Sequence, residues 1–190
     1  MKDAIGDRLD HPERVPPEYR HLIPDDQQRV KRLLAFDVSG DVLDVGCSDG
    51  AITRRIQAAW PKATVRGVDL LDWDIRQPWP HHTRFDTIFC CEVLEHLTDA
   101  DAQTALQNLV DILKPGGSLI VTVPNRDCDE RYVAGCRDRW RWPDHRSAWW
   151  PAKLQRLLKG PFADLQWQPL HDEDTPWESI WFIVRAVGRR

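Results

Sequence analysis

A short segment near the middle of the chain carries side chains that can bind a metal ion or move a proton. In the sequence CEVLEH, two carboxylates and one imidazole occupy positions i, i+3 and i+4 as Glu92, Glu95 and His96. If a helical turn begins near Glu92, these three side chains project to one side. Such a set can coordinate a hard or borderline divalent cation such as Mg²⁺ or Mn²⁺, and a histidine can accept a proton near neutral pH.

A second candidate is the sequence DVLDVGCSDG, which fits two different kinds of site. Its stretch from Gly46 to Gly50 matches the G-x-S-x-G nucleophile elbow of hydrolases, and also a turn that cradles a nucleoside cofactor. The elbow needs several strand-helix units and a glycine-rich oxyanion loop upstream. Only about 40 residues precede Gly46, and they contain no glycine-rich run. The nucleoside interpretation explains more residues. Asp44 ends the first predicted strand, and Asp69 ends the next at the offset where an acid accepts ribose hydroxyls.

Alternating strand and helix patterns must position these two segments. Apolar runs predict strands at VLDV, ATVRGVDL, FDTIFCC and SLIVTV, with helices over about 51–59 and 99–113. Thr98 is the predicted N-cap of the second helix, with Asp101 at the third helical position. The alternation predicts an α/β fold whose mostly parallel sheet is covered on both faces.

The ends of the chain follow a different pattern. Residues 1–24 are polar and rich in proline, and we predict an N-terminal arm followed by a first helix after Asp25-Asp26. Residues 25–190 are predicted to form one domain. Near the C-terminus, PAKLQRLL predicts an amphipathic helix, and LQWQPL with SIWFIVRAV predicts a closing antiparallel hairpin.

Four motifs in this order resemble those of the class I S-adenosylmethionine-dependent methyltransferases: LDVGCSDG, GVDL, FDTIFCCEVLEHL and LKPGGSLIVTVPN. They cover about residues 40–125. The resemblance implies a Rossmann-like fold with a seven-stranded, mostly parallel sheet and a C-terminal antiparallel hairpin. It also implies S-adenosylmethionine as cofactor, contacted by Asp44, Gly46, Ser48, Gly50, Asp69, Asp74, Ile75 and Cys91.

The chain departs from the family pattern at two places. Ser48 stands where the family usually has glycine, and we expect the turn to tolerate serine if its φ is negative. Asp69 and Phe85 are only 16 positions apart, although the family usually places a helix and a strand there. We therefore expect that helix to be missing or reduced to a turn. Asp74 and Ile75 are then the candidates for contacting adenine, and Asp72 is the competing acid.

The ExxEH pattern at residues 92–96 resembles two subfamilies that hold a metal there. They are the ubiquinone-biosynthesis O-methyltransferases and the small-RNA 3′-terminal 2′-O-methyltransferases, and the second adds a later histidine that corresponds to His145. The resemblance implies Glu92, Glu95, His96 and His145 as metal ligands. It also implies His96 or His145 as the base, aided by Glu92 if a metal is present. The alternative is a metal-free enzyme in which Glu95 and His96 shape the pocket or handle a proton.

The segment from about residue 126 to 150 holds six arginines, five acids and four tryptophans. The family resemblance implies that this part of the fold forms the substrate wall, so we expect a lid with aromatic platforms and cationic side chains. Alternatively, the tryptophans pack the lid onto the sheet. The formal charge of −4 gives no general attraction to nucleic acid. The odd number of cysteines, five, indicates reduced thiols and so a cytoplasmic protein. The sequence has no apolar run of about 18 residues and no apolar stretch in its first 20 residues, so we expect no membrane span and no secretion signal.

Together these features predict a methyltransferase that transfers a methyl group from S-adenosylmethionine to an oxygen of a small molecule, such as a sugar or secondary metabolite. The alternatives are an RNA 2′-O-methyltransferase that uses a divalent metal, and a non-catalytic subunit that only binds the cofactor. The pattern of four candidate metal ligands favours the RNA enzyme, but the overall acidic charge opposes it.

Overall fold

The computed structural model describes residues 32–124, 145–169 and 181–188. These residues form one mixed sheet of six strands with helices packed on it. The strands are β1 (Asp41–Val45), β2 (Thr64–Val68), β3 (Phe85–Cys91), β4 (Leu113–Pro124), β5 (Phe162–Pro169) and β6 (Trp181–Gly188). The helices are α1 (Ala51–Ala59), α2 (Asp99–Asp111) and α3 (Pro151–Leu158), with a short 3-10 helix at Leu94–His96.

The strand order β2-β1-β3-β4-β6-β5 explains where a ligand can bind. Strands β1 to β4 run parallel, and β6 pairs antiparallel with both β4 and β5. The α/β fold and the closing hairpin are therefore confirmed. Because β1 lies between β2 and β3, successive connections leave β1 in opposite directions, and such a switch point opens a crevice at the carboxyl ends of the strands.

The segment between β2 and β3 contains turns and neither a helix nor a strand, as the short spacing predicted. For this reason the described residues supply six strands rather than the seven that the family resemblance implied. The 16 positions from Asp69 to Phe85 are too few for a further crossover unit, which needs a dozen or more residues besides its strand. The space is filled by Trp73 and Trp79, whose rings meet edge to face at 4.8 Å, and Trp79 also packs on Phe85.

The helices form where the sequence patterns predicted them, with small shifts at their ends. Thr98 is the N-cap of α2, and its Oγ1 accepts the N–H of Asp101 at 3.2 Å, which confirms the predicted cap. The helix ends at Asp111 rather than at Leu113, because Leu113 already pairs with Phe85 as part of β4.

The two faces of the sheet have separate apolar cores. One face packs against α2 and α3 around Leu106, Leu109 and Leu154. The other packs against α1 and the segment before β1, around Ile56 and Phe36. A sheet buried on both faces accounts for the nearly continuous apolar runs of its central strands.

A lysine bridge joins three strands at the opposite end of the sheet from the crevice. The Nζ atom of Lys114 lies 2.7 Å from Asp41 Oδ2 and 2.8 Å from Asp86 Oδ2. The Asp86 carboxylate also accepts the N–H of Asp41 at 2.8 Å. These contacts hold the starts of β1, β3 and β4 together.

Two sequence predictions fall outside the described residues: the N-terminal arm over 1–24 and most of the lid over 126–150. Most of the first helix predicted after Asp25-Asp26 also lies outside them. Among the described helices, none has the length and apolar character needed to span a membrane.

Candidate active site

The turn after β1 is built around Gly46, where a larger residue would be strained and would displace a neighbouring side chain. Gly46 has a φ of 73°, and a Cβ atom placed on it would overlap Cγ2 of Val93. The N–H groups of Gly46 and Cys47 both donate to the carbonyl of Val68, which fixes the turn to the end of β2. Gly50, with a φ of 79°, is the N-cap of α1. The turn therefore exposes backbone at the crevice and lies against the ExxEH segment.

Ser48 adopts a left-handed backbone conformation. Its φ is 48°, so the negative φ that was the condition for tolerating serine here is not met. The conformation is held because the Ser48 N–H donates to Asp69 Oδ2 at 2.8 Å, while Asp69 Oδ1 accepts the N–H of Leu70 at 2.6 Å. The carboxylate that ends β2 thus anchors the turn that follows β1.

Asp44 is 2% exposed and has a partner that the sequence analysis missed. Thr53 Oγ1 donates to Asp44 Oδ2 at 2.6 Å from the first part of α1. The two side chains can approach because Gly67 in β2 has no Cβ, which would lie 2.8 Å from Thr53 Oγ1. The position of Thr53, a hydroxyl residue in the first helical turn after the glycine-rich loop, could have predicted this hydrogen bond from the sequence.

The three candidate residues for the adenine end of the cofactor have different environments. The Asp74 carboxylate pairs with Arg76, whose Nη2 lies 2.6 Å from Oδ2. The hydrogen bond from Arg76 is the main reason that the pKa of Asp74 is lowered. Ile75 is buried in the core, and its carbonyl accepts a hydrogen bond from Asn108 at 2.9 Å. Asp72 accepts the N–H of Asp69 at 3.0 Å and so stabilises the local turn.

The ExxEH segment does not form the single helical turn that the spacing suggested. Glu92 has a φ of 56° and precedes the 3-10 helix instead of beginning it. Its Oε1 accepts a hydrogen bond from Thr122 Oγ1 at 2.7 Å. Cys91, the last residue of β3, is buried within the core cluster that contains Phe36 and Ile56.

Three of the four predicted ligands do come together. Glu95, His96 and His145 each offer a ligand atom, and these atoms all lie within 4.8 Å of one another. Glu95 is 1% exposed, and the imidazole rings of His96 and His145 meet edge to face with their centroids 5.1 Å apart. Glu92 is outside this group.

The segment that carries His145 is attached directly to the 3-10 helix. The N–H groups of Arg146 and Ser147 donate to the carbonyl of Glu95 at 2.7 Å and 3.1 Å. Ser147 Oγ donates to the carbonyl of Leu94 at 3.2 Å. Trp149 is buried, as expected for a lid tryptophan that packs onto the sheet. His145 was predicted from the sequence, whereas Ser147, which fixes its segment, was not.

The residues present fit both implied groups. One carboxylate and two imidazoles are a donor set suited to a borderline cation such as Mn²⁺, and less so to Mg²⁺, which prefers oxygen ligands. The open backbone from Gly46 to Gly50, with Asp44 and Asp69 at the ends of adjacent strands, suits a nucleoside with a charged amino acid tail.

Comparison with known proteins gives the family. Residues 18–166 match the model of a methyltransferase domain family. The chain is 31% identical over 160 residues to a trans-aconitate 2-methyltransferase of Azoarcus sp. (strain BH72), covering 73% of this chain and 54% of that protein. It is 30% identical over 110 residues to the human mitochondrial ubiquinone biosynthesis O-methyltransferase, covering 45% of this chain and 29% of that protein.

Solved structures share the fold at low identity. The N-methyltransferase NodS from Bradyrhizobium japonicum WM9, in complex with S-adenosyl-L-homocysteine, superposes with a TM-score of 0.64 at 20% identity, covering 99% of this chain and all of that one. The small RNA methyltransferase HEN1 gives a TM-score of 0.73 at 18% identity, covering 86% of this chain and 25% of that one. The chain spans about half, or less, of the length of the curated relatives it matches. The methyltransferase family model covers most of the chain, and the sheet that forms the crevice has the parallel strand order expected of that family's fold. The chain therefore belongs to the class I S-adenosylmethionine-dependent methyltransferases.

Proposed function

We propose that this chain methylates a hydroxyl group of a small molecule. The observation that carries the proposal is the position of the group formed by Glu95, His96 and His145. Glu95 and His96 of this group follow β3, and the predicted cofactor turn follows the neighbouring strand β1. Val93, just before the group, lies against Gly46 of that turn. Groups that can accept a proton or bind a metal therefore lie beside the turn that would hold the cofactor.

S-adenosylmethionine supplies an electrophilic methyl group, and this chain's own residues supply its position. In our proposal Asp44 contacts the amino group of the methionine part, Gly46, Ser48 and Gly50 approach it with their backbone, and Asp69 accepts the ribose hydroxyls. Asp74, Ile75 and the strand end at Cys91 complete the site. Because Asp69 also anchors Ser48, one carboxylate orders the turn and contacts the ribose.

His145 or His96 accepts the proton of the acceptor hydroxyl in this proposal, and the oxygen attacks the methyl group in line, so that the O–CH3 bond forms as the sulfonium S–CH3 bond breaks and S-adenosylhomocysteine leaves. Glu95, His96 and His145 would hold a divalent cation, which would supply Lewis-acid activation of the acceptor hydroxyl. An imidazole that binds the cation could not also accept the proton, so the histidine base applies only to a ring that is not a ligand. Glu92 is the proposed fourth ligand, which requires its carboxylate to turn away from Thr122. Without a metal, the two histidines and Glu95 form an ordinary acid-base group.

An RNA 2′-hydroxyl is the second candidate acceptor. The fold similarity to the small RNA methyltransferase and the gathering of Glu95, His96 and His145 support it. The net charge of −4 opposes it, because RNA binding depends on neutralising phosphates. A cofactor-binding subunit without activity is the third.

The first test is calorimetric titration of S-adenosylhomocysteine and of Mn²⁺ into wild type, Glu95→Gln and His145→Ala. We expect cofactor affinity within a few fold in all three, and at least a tenfold loss of Mn²⁺ affinity in the variants. The matched control is His82→Ala, which removes an exposed histidine from the segment between β2 and β3. Absence of Mn²⁺ heat in the wild type would favour the metal-free alternative.

The second test supplies labelled S-adenosylmethionine with either a small-molecule extract or total RNA. Label in the small-molecule fraction that disappears in His145→Ala supports the proposal. Label in RNA instead would favour the RNA enzyme, and cofactor binding without label in either fraction would favour the inactive subunit.

A further inference from the structure

Lys153 in α3 is buried to an unusual degree for a lysine. It is 6% exposed, and its Nζ donates to Asp99 Oδ1 at 2.6 Å and to the carbonyl of Ala148 at 2.7 Å. The same atom lies 4.3 Å from the centroid of the Trp149 ring. A buried ammonium group needs such partners, because an uncompensated one would be strongly destabilising.

The partners of Lys153 belong to two different parts of the fold. Asp99 begins α2, directly after the ExxEH segment and its Thr98 cap. Ala148 and Trp149 belong to the segment that carries His145. The ammonium group of Lys153 therefore connects α2, which follows the ExxEH segment, to the segment that carries His145.

A chain of contacts continues from this ammonium group to the proposed ligands. Trp149, over whose ring Lys153 lies, donates from Nε1 to Ser147 Oγ at 2.9 Å. Ser147 Oγ donates to the carbonyl of Leu94, and the N–H groups of Arg146 and Ser147 donate to the carbonyl of Glu95. Because His145 immediately precedes Arg146, these bonds set where its imidazole stands relative to His96.

We propose that Lys153 is a positioning residue that holds His145 against Glu95 and His96, and thereby sets the affinity of this site for a divalent cation. The part concerning the cation rests on the proposed function. The part concerning the position of His145 stands on the contacts alone. Lys153 lies eight residues beyond His145 and belongs to a helix that the ligand motif does not include.

The test compares Lys153→Met with the wild type and with Lys159→Met. Methionine keeps much of the apolar stem and its contact with aromatic rings but removes the charge and the donors. Lys159 is the exposed lysine that follows the same helix, so its variant controls for the loss of one positive charge.

The first readout uses the metal-free protein. Amide hydrogen exchange at Arg146 and Ser147, and the nuclear Overhauser contact between the rings of His96 and His145, report the position of the segment directly. In Lys153→Met we expect exchange at both amides to accelerate at least tenfold and the ring contact to weaken. Affinity for S-adenosylhomocysteine should stay within a few fold in both lysine variants.

The second readout is calorimetric titration of Mn²⁺, for which we expect Lys153→Met to bind at least tenfold more weakly than Lys159→Met. The proposal would be overturned if Lys153→Met kept the wild-type exchange rates at Arg146 and Ser147 and the wild-type contact between the rings of His96 and His145. If the wild type binds no Mn²⁺, the metal part of the proposed function fails, while exchange and ring contact still decide the role of Lys153.

If Lys153→Met does not fold, Asp99→Asn replaces it. That variant removes the opposite charge and leaves the contacts of Lys153 with Ala148 and Trp149. Faster exchange at Arg146 and Ser147 in Asp99→Asn would support the proposal, and wild-type exchange together with a wild-type ring contact would overturn it.

Discussion

The carboxylate of Asp69 accepts the backbone N–H of Ser48 at 2.8 Å, and Ser48 has a φ of 48°. The acid that ends β2 thus stabilises a left-handed residue in the turn after β1. Both residues lie at the switch point where the cofactor is expected. Backbone held in a sparsely populated region near a binding site is common, because the surrounding contacts enforce it.

Replacing Ser48 with glycine should stabilise the protein. A left-handed conformation costs a non-glycine residue about 1–2 kcal/mol, and the greater chain entropy of glycine offsets about half of that gain. We expect thermal denaturation to show a melting temperature about 2 °C higher. Ser39→Gly is the control, since Ser39 is exposed and does not have a positive φ, and there we expect no gain. A lower melting temperature for Ser48→Gly would contradict the prediction.

Asp69→Asn should weaken S-adenosylhomocysteine binding by about 10-fold to 100-fold. The amide oxygen can accept only one of the two N–H groups, from Ser48 or Leu70, that the carboxylate accepts. A charged acceptor for the ribose hydroxyls is also lost, and hydrogen bonds to charged groups contribute about 1.5–3 kcal/mol. Calorimetric titration measures the change.

Asp72→Asn is the matched control for Asp69→Asn. Asparagine at this position keeps an acceptor for the Asp69 N–H, so we expect affinity within about threefold of wild type. Equal losses in the two variants would show that the acids act only through general charge.

The bridge from Lys114 to Asp41 and Asp86 should stabilise the fold in a pH-dependent way. Partial burial alone would raise the pKa of Asp86, but hydrogen bonds from Lys114 and from the Asp41 N–H outweigh it and lower that pKa below 3.8. Hydrogen bonds from Asp41 and Asp86 raise the pKa of Lys114 above 10.5. The bridge therefore contributes its full stabilisation between the ordinary pKa values of 3.8 and 10.5. This contribution is lost as the pH falls through the lowered pKa of Asp86, and it is also lost as the pH rises through the raised pKa of Lys114.

The measurement is the melting temperature of Lys114→Met and wild type from pH 3 to pH 8. We expect the variant to melt a few degrees lower at neutral pH and the difference to shrink below about pH 4. Lys62→Met, which removes an exposed lysine that pairs with no described carboxylate, should show neither effect. A difference that persists unchanged at pH 3 would mean that packing of the lysine stem, not its charge, is responsible.

The thiol of Cys47 should react slowly with alkylating reagents. Burial, followed by the negative charges of Asp44, Asp69 and Asp72, raises its pKa to about 11 from 9.0. At pH 8 the thiolate is then about 0.1% of the total, and the alkylation rate should rise about tenfold per pH unit up to about pH 10. Mass spectrometry of the Cys47 peptide after iodoacetamide treatment gives the profile. The urea-unfolded chain is the control, and an apparent pKa of 9 or less in the folded chain would refute the prediction.

Most of the elements could be predicted from local sequence patterns, and the same patterns named the candidate residues of the site. Short apolar runs predicted β1 to β4, and an apolar stripe with the Thr98 cap predicted α2, because these patterns follow from local backbone preferences and from which faces of an element are buried. The short interval between Asp69 and Phe85 predicted the missing helix, since length alone limits what can fit. The order of the motifs indicated the family.

Three features of the site could not be predicted from the sequence: the conformation of Ser48, the separation of Glu92 from Glu95, and the attachment of the segment that carries His145. Each depends on a partner distant in the chain: Asp69 bonds to Ser48, Thr122 holds the Glu92 carboxylate, and the Glu95 carbonyl accepts two N–H groups from the segment of His145. Sequence spacing sets what one strand or helix can present on its own. The meeting of separate segments is set by sheet order and by the geometry of individual hydrogen bonds, which local patterns do not encode.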